Sequence, residues 1–151
     1  MDNPNTPDLP NAPDLAVLLD RVTHVGRLLE HQLWEAALDL SLDKSSRRGR
    51  RFAGLVEAGA MLDATLLLVA LSKPERSVTC IRKADEKWIC IVQVIPTGTP
   101  AKVRKFKAEH MDLSAAVLAA LLTSHLEWQA GACLKNAPHK KYQGEFESHD
   151  T

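Results

Sequence analysis

The segment that most constrains the fold is the apolar run over residues 88–95, WICIVQVI. Its β-branched residues favour a strand. Successive side chains of a strand point to opposite faces, and both faces of this one are apolar. A strand that is apolar on both sides belongs in the middle of a sheet with other elements packed over each face. The sequence therefore predicts a small sheet, with helices covering both of its faces. One face of the segment carries Trp88, Cys90, Val92 and Val94, and the other carries Ile89, Ile91 and Ile95.

Two further strands are predicted beside this segment. Residues 77–83 (SVTCIRK) precede it across the short stretch ADEK, which indicates a β-hairpin. An even loop would place Cys80 opposite Ile91, whereas a three-residue loop would place Cys80 opposite Cys90. We favour the even loop, because the odd loop usually needs glycine and this stretch has none. Residues 101–108 (AKVRKFKA) carry a charge at nearly every second position, which is typical of an edge strand.

Three helical segments complete the pattern. Residues 13–43 and 51–72 are each predicted to form one helix, and a third runs from Asp112, its expected cap, to near Gly131. Gly26 lies in the first apolar stripe of the first helix, where it predicts the close approach of another helix. The same helix has a second apolar stripe, which leaves one flank for a partner once the monomer has folded. That predicted interface consists of Trp34, Leu38 and Leu42.

The element order α-α-β-β-β-α predicts an α+β fold, a three-stranded antiparallel meander covered by helices. We expect a single domain over residues 13–134, between a flexible arm at 1–12 and a flexible polar tail at 135–151. Four of the eight prolines fall within the first 13 residues, which disfavours both helix and sheet in the arm.

Charge is balanced over the whole chain but not along it. The 19 basic and 19 acidic residues give a net charge of zero, whereas residues 44–111 hold fourteen basic against six acidic groups. The basic groups concentrate in 44–51 (KSSRRGRR), which is predicted to be a loop, and in the strand at 101–108. The candidate nucleic-acid-binding residues are Arg47, Arg48, Arg50, Arg51, Lys102, Arg104, Lys105, Phe106 and Lys107.

Two interpretations of these basic residues stay open. In the first, the guanidinium and ammonium groups together clamp phosphates while an exposed Phe106 stacks on a base. In the second, the loop is merely solvated or caps the first helix, and the strand lysines protect a sheet edge from aggregation.

No residue pattern predicts catalysis, a cofactor or a metal site. The chain has no phosphate-binding glycine loop, no nucleophile motif and no spaced set of Cys and His ligands. His125 falls in the apolar arc of the last helix, where a hydrogen-bonded core histidine is expected. Three cysteines without a CxxC pair favour a reducing cytoplasm. Residues 52–71 could span a bilayer by length, but Glu57 and Asp63 favour a buried helix and no membrane association.

Two functional hypotheses follow from these features. The first is a non-catalytic protein-interaction module, such as an adaptor, inhibitor or chaperone-like accessory protein. It binds another protein through its first helix or a sheet edge, and it forms a homo-oligomer, most simply a dimer, through its first helix. The second is a nucleic-acid-binding accessory protein that uses the 44–51 loop and the 101–108 strand. We favour the first, because apolar faces and edge lysines need no polyanion and the total charge is zero.

Overall fold

A computed structural model describes residues 14–96 and 102–135, with side chains as far as Trp128. The α+β class and the three-stranded antiparallel sheet are confirmed, but four helices precede the sheet instead of two. The expected arm at 1–12, the expected tail from 136 onward and the turn at 97–101 lie outside the described residues. The elements are α1 (Leu15–Thr23), α2 (Glu30–Asp39), α3 (Arg47–Glu57), α4 (Met61–Leu71), β1 (Glu75–Ala84), β2 (Lys87–Ile95), β3 (Arg104–His110) and α5 (Leu113–Lys135).

The predicted single helix over residues 13–43 is wrong, because the chain leaves the helical conformation between α1 and α2. Gly26 lies in this break, and a Cβ added there would meet nothing within 4 Å, so the predicted close helix approach is also wrong. The break is held from outside: the backbone N of Leu28 donates to Oδ2 of Asp112 at 2.8 Å. The backbone N of Leu29 donates to Oε1 of Gln32 at 3.0 Å, which satisfies a donor at the start of α2.

The predicted helix over residues 51–72 is also two helices. Gly59 separates α3 from α4 with a φ of 77°, a left-handed conformation that glycine adopts without steric cost. At its other end α3 begins earlier than predicted, so the loop expected over 44–51 is wrong for residues 47–51. Ser46 explains the early start, because its Oγ accepts a hydrogen bond from the backbone N of Gly49 at 2.9 Å and caps the first turn.

The sheet has β2 at its centre, as predicted, with β1 and β3 at the two edges. The hairpin between β1 and β2 has a two-residue turn between Ala84 and Lys87. Cys80 is paired with Ile91, which confirms the even loop. Cys90 therefore lies on the opposite face, where burial and, secondarily, Cys80 raise the pKa of its thiol to about 11.

The hydrophobic core lies between the helices and one face of the sheet, here called the inner face. Cys90 and Val92 of β2 are fully buried in this core. The helix α5 packs across β2 and β3, and α1 and α4 pack on α5. Among the described residues, no member of this core cluster comes from the opposite, outer face of the sheet, although Ile89 on that face is buried. The expectation of helices on both faces is therefore wrong for the described residues, because α5 packs on β2 and β3, α4 contacts β1, and the other helices pack on α4 or α5.

Candidate functional site

The predicted interface on the first helix is largely used within the chain. The rings of Trp34 and Phe52 pack edge to face with centroids 4.9 Å apart, and Nζ of Lys44 lies 5.1 Å from the Trp34 centroid. Leu42 follows α2 and packs, partly buried, against the core. Leu38 is 48% exposed. Because Trp34 packs on Phe52 of α3 and Leu42 packs against the core, Leu38 is the one large exposed side chain among the three predicted interface residues.

Four arginines form a basic patch at the start of α3. All four side chains are exposed, and none of them forms a salt bridge with a carboxylate in residues 14–96 and 102–128. Nη1 of Arg50 donates to the carbonyl oxygen of Ser45 at 2.6 Å. Positive charge in a first turn opposes the helix dipole, so these residues do not stabilise α3 electrostatically. The α3 basic patch consists of Arg47, Arg48, Arg50 and Arg51.

The basic residues of β3 are divided between the two faces of the sheet, so they do not join the α3 basic patch in one clamp. Phe106 is only 7% exposed on the inner face, which corrects the expectation of an exposed ring for base stacking. Arg104 lies on the same face, with its guanidinium carbon 5.1 Å from the Phe106 centroid. Lys105 and Lys107 lie on the outer face, away from the helices. Lys102 precedes β3 and is exposed.

The outer face of the sheet has an apolar centre and charged margins. Pairing across the strands arranges nine of its residues in three rows, with β2 in the middle and β1 and β3 at the ends. Ile89 is 7% exposed and Ile91 is partly buried, although neither belongs to the core. In order along the strands, the outer rows are Arg82, Ile89 and Glu109; Cys80, Ile91 and Lys107; and Ser77, Gln93 and Lys105.

The first outer row has charges of opposite sign at its two ends. Arg82 and Glu109 are two strands apart, about 9.6 Å, which is too far for a direct ion pair. An oxygen of Glu109 lies 3.7 Å from Nζ of Lys107 on the same strand. Arg82 is exposed and has no ion-pair partner in the part of the chain that the structure describes.

A buried arginine lies where β1 meets α5. Arg76 is 4% exposed; its Nε donates to Oγ of Ser124 at 2.7 Å and its Nη1 to the carbonyl oxygen of Pro74 at 2.9 Å. Its Nη2 has no hydrogen-bond partner among the described residues, and burial lowers the pKa of Arg76 to about 10. Nε2 of His125 lies 3.4 Å from Oγ of Ser72. Burial and then the charge of Arg76 lower the pKa of His125 to about 4, so the ring is neutral at neutral pH.

A cleft of about 450 Å³ opens where the start of α1, the end of α2 and α5 meet. Asp14, Asp39 and His125 line it. Burial raises the pKa of Asp39, and the carboxylates of Glu35 and Asp14 raise it further. No group of three or more His, Cys, Asp or Glu residues in the described ranges could hold a metal ion. The cleft is thus an acidic recess without the ligand set of a metal centre.

Sequence reasoning missed two polar residues that join elements. One is Arg76, and the other is His110, whose Nε2 lies 3.0 Å from the carbonyl oxygen of Val22. Nδ1 of His110 accepts a hydrogen bond from the backbone N of Asp112 at 2.8 Å, so the proton of the neutral ring is on Nε2. Asp112 also accepts from the backbone N of Ala115 at 3.3 Å, which confirms its predicted place as the cap of α5. Arg76 alternates with Val78 along β1, and this alternation was the sequence signal that Arg76 points to the same face. No sequence pattern marked His110 as a buried residue.

Among the described residues, no helix has both the length and the apolar character needed to cross a bilayer. Within residues 14–96 and 102–128, the candidate surfaces for function are the outer face, the α3 basic patch and the acidic cleft. Comparison with protein-family models, with curated proteins and with solved structures finds no match for this chain.

Proposed function

We propose that this protein is a non-catalytic protein-interaction module that pairs with a second copy of itself through the outer face of its sheet. One observation carries the proposal: the first outer row ends in opposite charges, so a two-fold axis would set Arg82 of one copy against Glu109 of the partner subunit. Protein interfaces combine an apolar centre with a polar rim. The outer face has this composition, with isoleucines on β2 and charged side chains on β1 and β3.

A two-fold axis parallel to β2 would stack two such sheets face to face. Rotation about this axis places each row of one copy over the same row of the other copy. The β1 edge of one copy then lies over the β3 edge of the other. Arg82 of one copy then faces Glu109 of the partner subunit, and the equivalent contact forms at the other margin. Ile89 and Ile91 each meet their own counterpart near the axis. The lysines of the other two rows face uncharged β1 residues, so these three rows oppose no like charges. Lys87, exposed beyond the rows at the start of β2, would lie near its own counterpart at the end of the stack.

The size of the outer face sets the expected affinity. β2 has 9 residues, which span about 30 Å, and three strands are about 14 Å wide. Two such faces cover about 840 Å² in total, which is below the range of stable interfaces and typical of weak, transient ones. We therefore expect a reversible dimer with a dissociation constant in the micromolar range.

The outer face takes the place of the first helix as the proposed interface. Trp34 and Leu42 already contact their own chain, and Leu38 alone offers little apolar area for an interface core. We also propose a cytoplasmic location. It is supported by the free thiols of Cys80 and Cys90, which lie on opposite faces of the sheet.

Sedimentation velocity between about 1 μM and 1 mM protein tests self-association. We expect the wild type to shift from monomer to dimer as concentration rises. Ile91→Asp puts a charge in the centre of the stack and should leave a monomer throughout. Leu38→Asp makes the same kind of change on α2 and should dimerise as the wild type does.

Circular dichroism establishes that both variants are folded. A wild type that stays monomeric over this range would refute self-association. A dimer that survives Ile91→Asp but is lost in Leu38→Asp would refute the outer face and return the interface to the first helix.

A further inference from the structure

We infer that the α3 basic patch binds the phosphodiester backbone of a nucleic-acid duplex without sequence preference. The patch lies in the helical layer and the outer face lies on the far side of the sheet. The inference is therefore independent of self-association. It involves the four arginines of α3 and none of the lysines of β3.

The packing of α3 fixes the direction in which the patch points. Gly49, Phe52 and Val56 are buried and turn one side of the helix toward the core. Arg47 and Arg51 are exposed on the opposite side, about one helical turn or 5.4 Å apart. Guanidinium groups so placed can contact neighbouring phosphates of one strand, since each presents a planar fork of donors that matches phosphate oxygens.

The charge of the patch is not neutralised within the described residues. The acidic residue closest before it, Asp43, accepts hydrogen bonds from the backbone N and Oγ of Ser45 instead. Arg50 donates to the carbonyl oxygen of Ser45 and not to a carboxylate. Four cations within five positions repel one another and also oppose the helix dipole. An anion bound at the patch would relieve both effects.

The surroundings of the patch favour a phosphate backbone over an acidic protein surface. Gly54 and Ala58 are the exposed residues that continue the same side of the helix, and a Cβ at Gly54 would meet nothing within 4 Å. No large apolar side chain of α3 is exposed, so the patch lacks the anchors on which protein interfaces depend. The single aromatic ring of α3, Phe52, is buried, which disfavours stacking on single-stranded bases. Recognition by charge alone suits the backbone of a duplex.

The number of arginines sets the expected salt dependence. Each phosphate contact contributes about −0.9 to the slope of log K against log salt, so four contacts predict a slope of about −3.6. The affinity should then fall about 100-fold between about 50 and 200 mM salt.

Fluorescence anisotropy with short DNA and RNA duplexes of mixed sequence tests the inference on the full chain. Arg47→Gln/Arg51→Gln should halve the slope to about −1.8 and weaken binding at about 50 mM salt by tenfold or more. The matched control, Lys105→Gln/Lys107→Gln, removes the same charge from the outer face and should leave the slope unchanged. Arg48→Gln/Arg50→Gln removes the other half of the patch and should also halve the slope.

Several outcomes would overturn the inference. The first is that the wild type does not bind the duplexes at about 50 mM salt. The second is that the arginine variants and the lysine control lose the same amount of affinity. The third is that the affinity does not change with salt concentration. Poly-glutamate bound as tightly as the duplexes would overturn the choice of partner. Thermal unfolding checks that all three variants are folded. The two arginine variants should have a Tm equal to or slightly above that of the wild type, because they remove charges that repel one another and oppose the helix dipole, and the lysine control should stay close to the wild type because its side chains are exposed. If one arginine variant fails to fold, the other still decides the result.

Discussion

Arg76 and His125 lie beside each other where β1 meets α5, and burial acts on both in the same direction. The pKa of Arg76 falls to about 10 and that of His125 to about 4, because surroundings of low polarity disfavour the charged forms. Arg76 remains charged at neutral pH, and its Nη2 is unpaired within the described ranges. Protonation of His125 would place a second positive charge next to the first, so the fold favours the neutral ring.

We predict that His125 makes the folded state less stable in mild acid. The pKa of its ring is about 4 in the folded chain and 6.5 without the fold. Its contribution to the free energy of unfolding is therefore complete above about pH 6.5 and lost as the pH falls toward 4. We expect a loss of about 2 kcal/mol, below the full linkage value because the ring keeps some contact with solvent.

Urea unfolding of the wild type and His125→Gln at about pH 7 and pH 4.5 checks this prediction. Asp39, whose pKa is raised, acts in the opposite direction but is common to both proteins. A variant that loses as much stability in acid as the wild type would show that His125 is not responsible.

Only part of this cluster could be predicted from the sequence. The apolar arc of the last helix predicted that His125 is held in the core, and the ring is partly buried there. The burial of Arg76 was not predicted, because arginine side chains are mostly exposed in proteins. Only its alternation with Val78 indicates that it points toward the helices. The register of β1 decides which side is inward, and no local pattern fixes that register.

At the scale of elements, two glycines interrupt two predicted helices for different reasons. Gly59 has a φ of 77° and itself turns the chain between α3 and α4. Gly26 has no such φ, and its break is held by the hydrogen bond from Leu28 to Asp112, 84 residues away. Apolar periodicity continues across both glycines, so the sequence predicted two unbroken helices. A periodic pattern shows which side of a helix is buried, but not where the helix stops.

Alanine substitutions should separate these two cases. Gly59→Ala should lower the free energy of unfolding by about 1 kcal/mol, because alanine is strained in the left-handed region. Gly26→Ala should be neutral or stabilise by up to about 1 kcal/mol, since the site is open and restricting the unfolded chain favours folding. Urea unfolding measures both changes, and an equal loss at the two positions would contradict the explanation.

At the start of α3, the local residue types predicted a loop where the chain forms a helix. Serine, glycine and clustered charge predicted a loop over 44–51, and the helix dipole disfavours arginine in a first turn. Ser46 was the contrary signal, since serine is a favoured cap. The arginines were identified correctly as an exposed basic group, whereas their helical setting and their separation from the β3 lysines needed the fold.

At the scale of the whole molecule, the chain forms a helical layer on one face of a sheet. The doubly apolar β2 predicted the central strand correctly, and from it the sequence predicted cover on both faces. Within the described residues the helices cover only the inner face. A second copy of the chain would supply the outer cover, so the same apolar signal would be satisfied between molecules instead of within one. Such stacking would leave both α3 basic patches exposed, so the two proposals are compatible.

The most direct test of self-association is an exchange of charge across the proposed two-fold axis. The single substitution Arg82→Glu or Glu109→Arg places like charges against each other at both edges of the dimer. Each single variant should therefore raise the dissociation constant of the dimer about tenfold. Arg82→Glu/Glu109→Arg restores both contacts, and sedimentation equilibrium should return its dissociation constant to within about threefold of the wild type. Single variants that dimerise like the wild type, or a double variant as weak as either single one, would contradict the proposed interface.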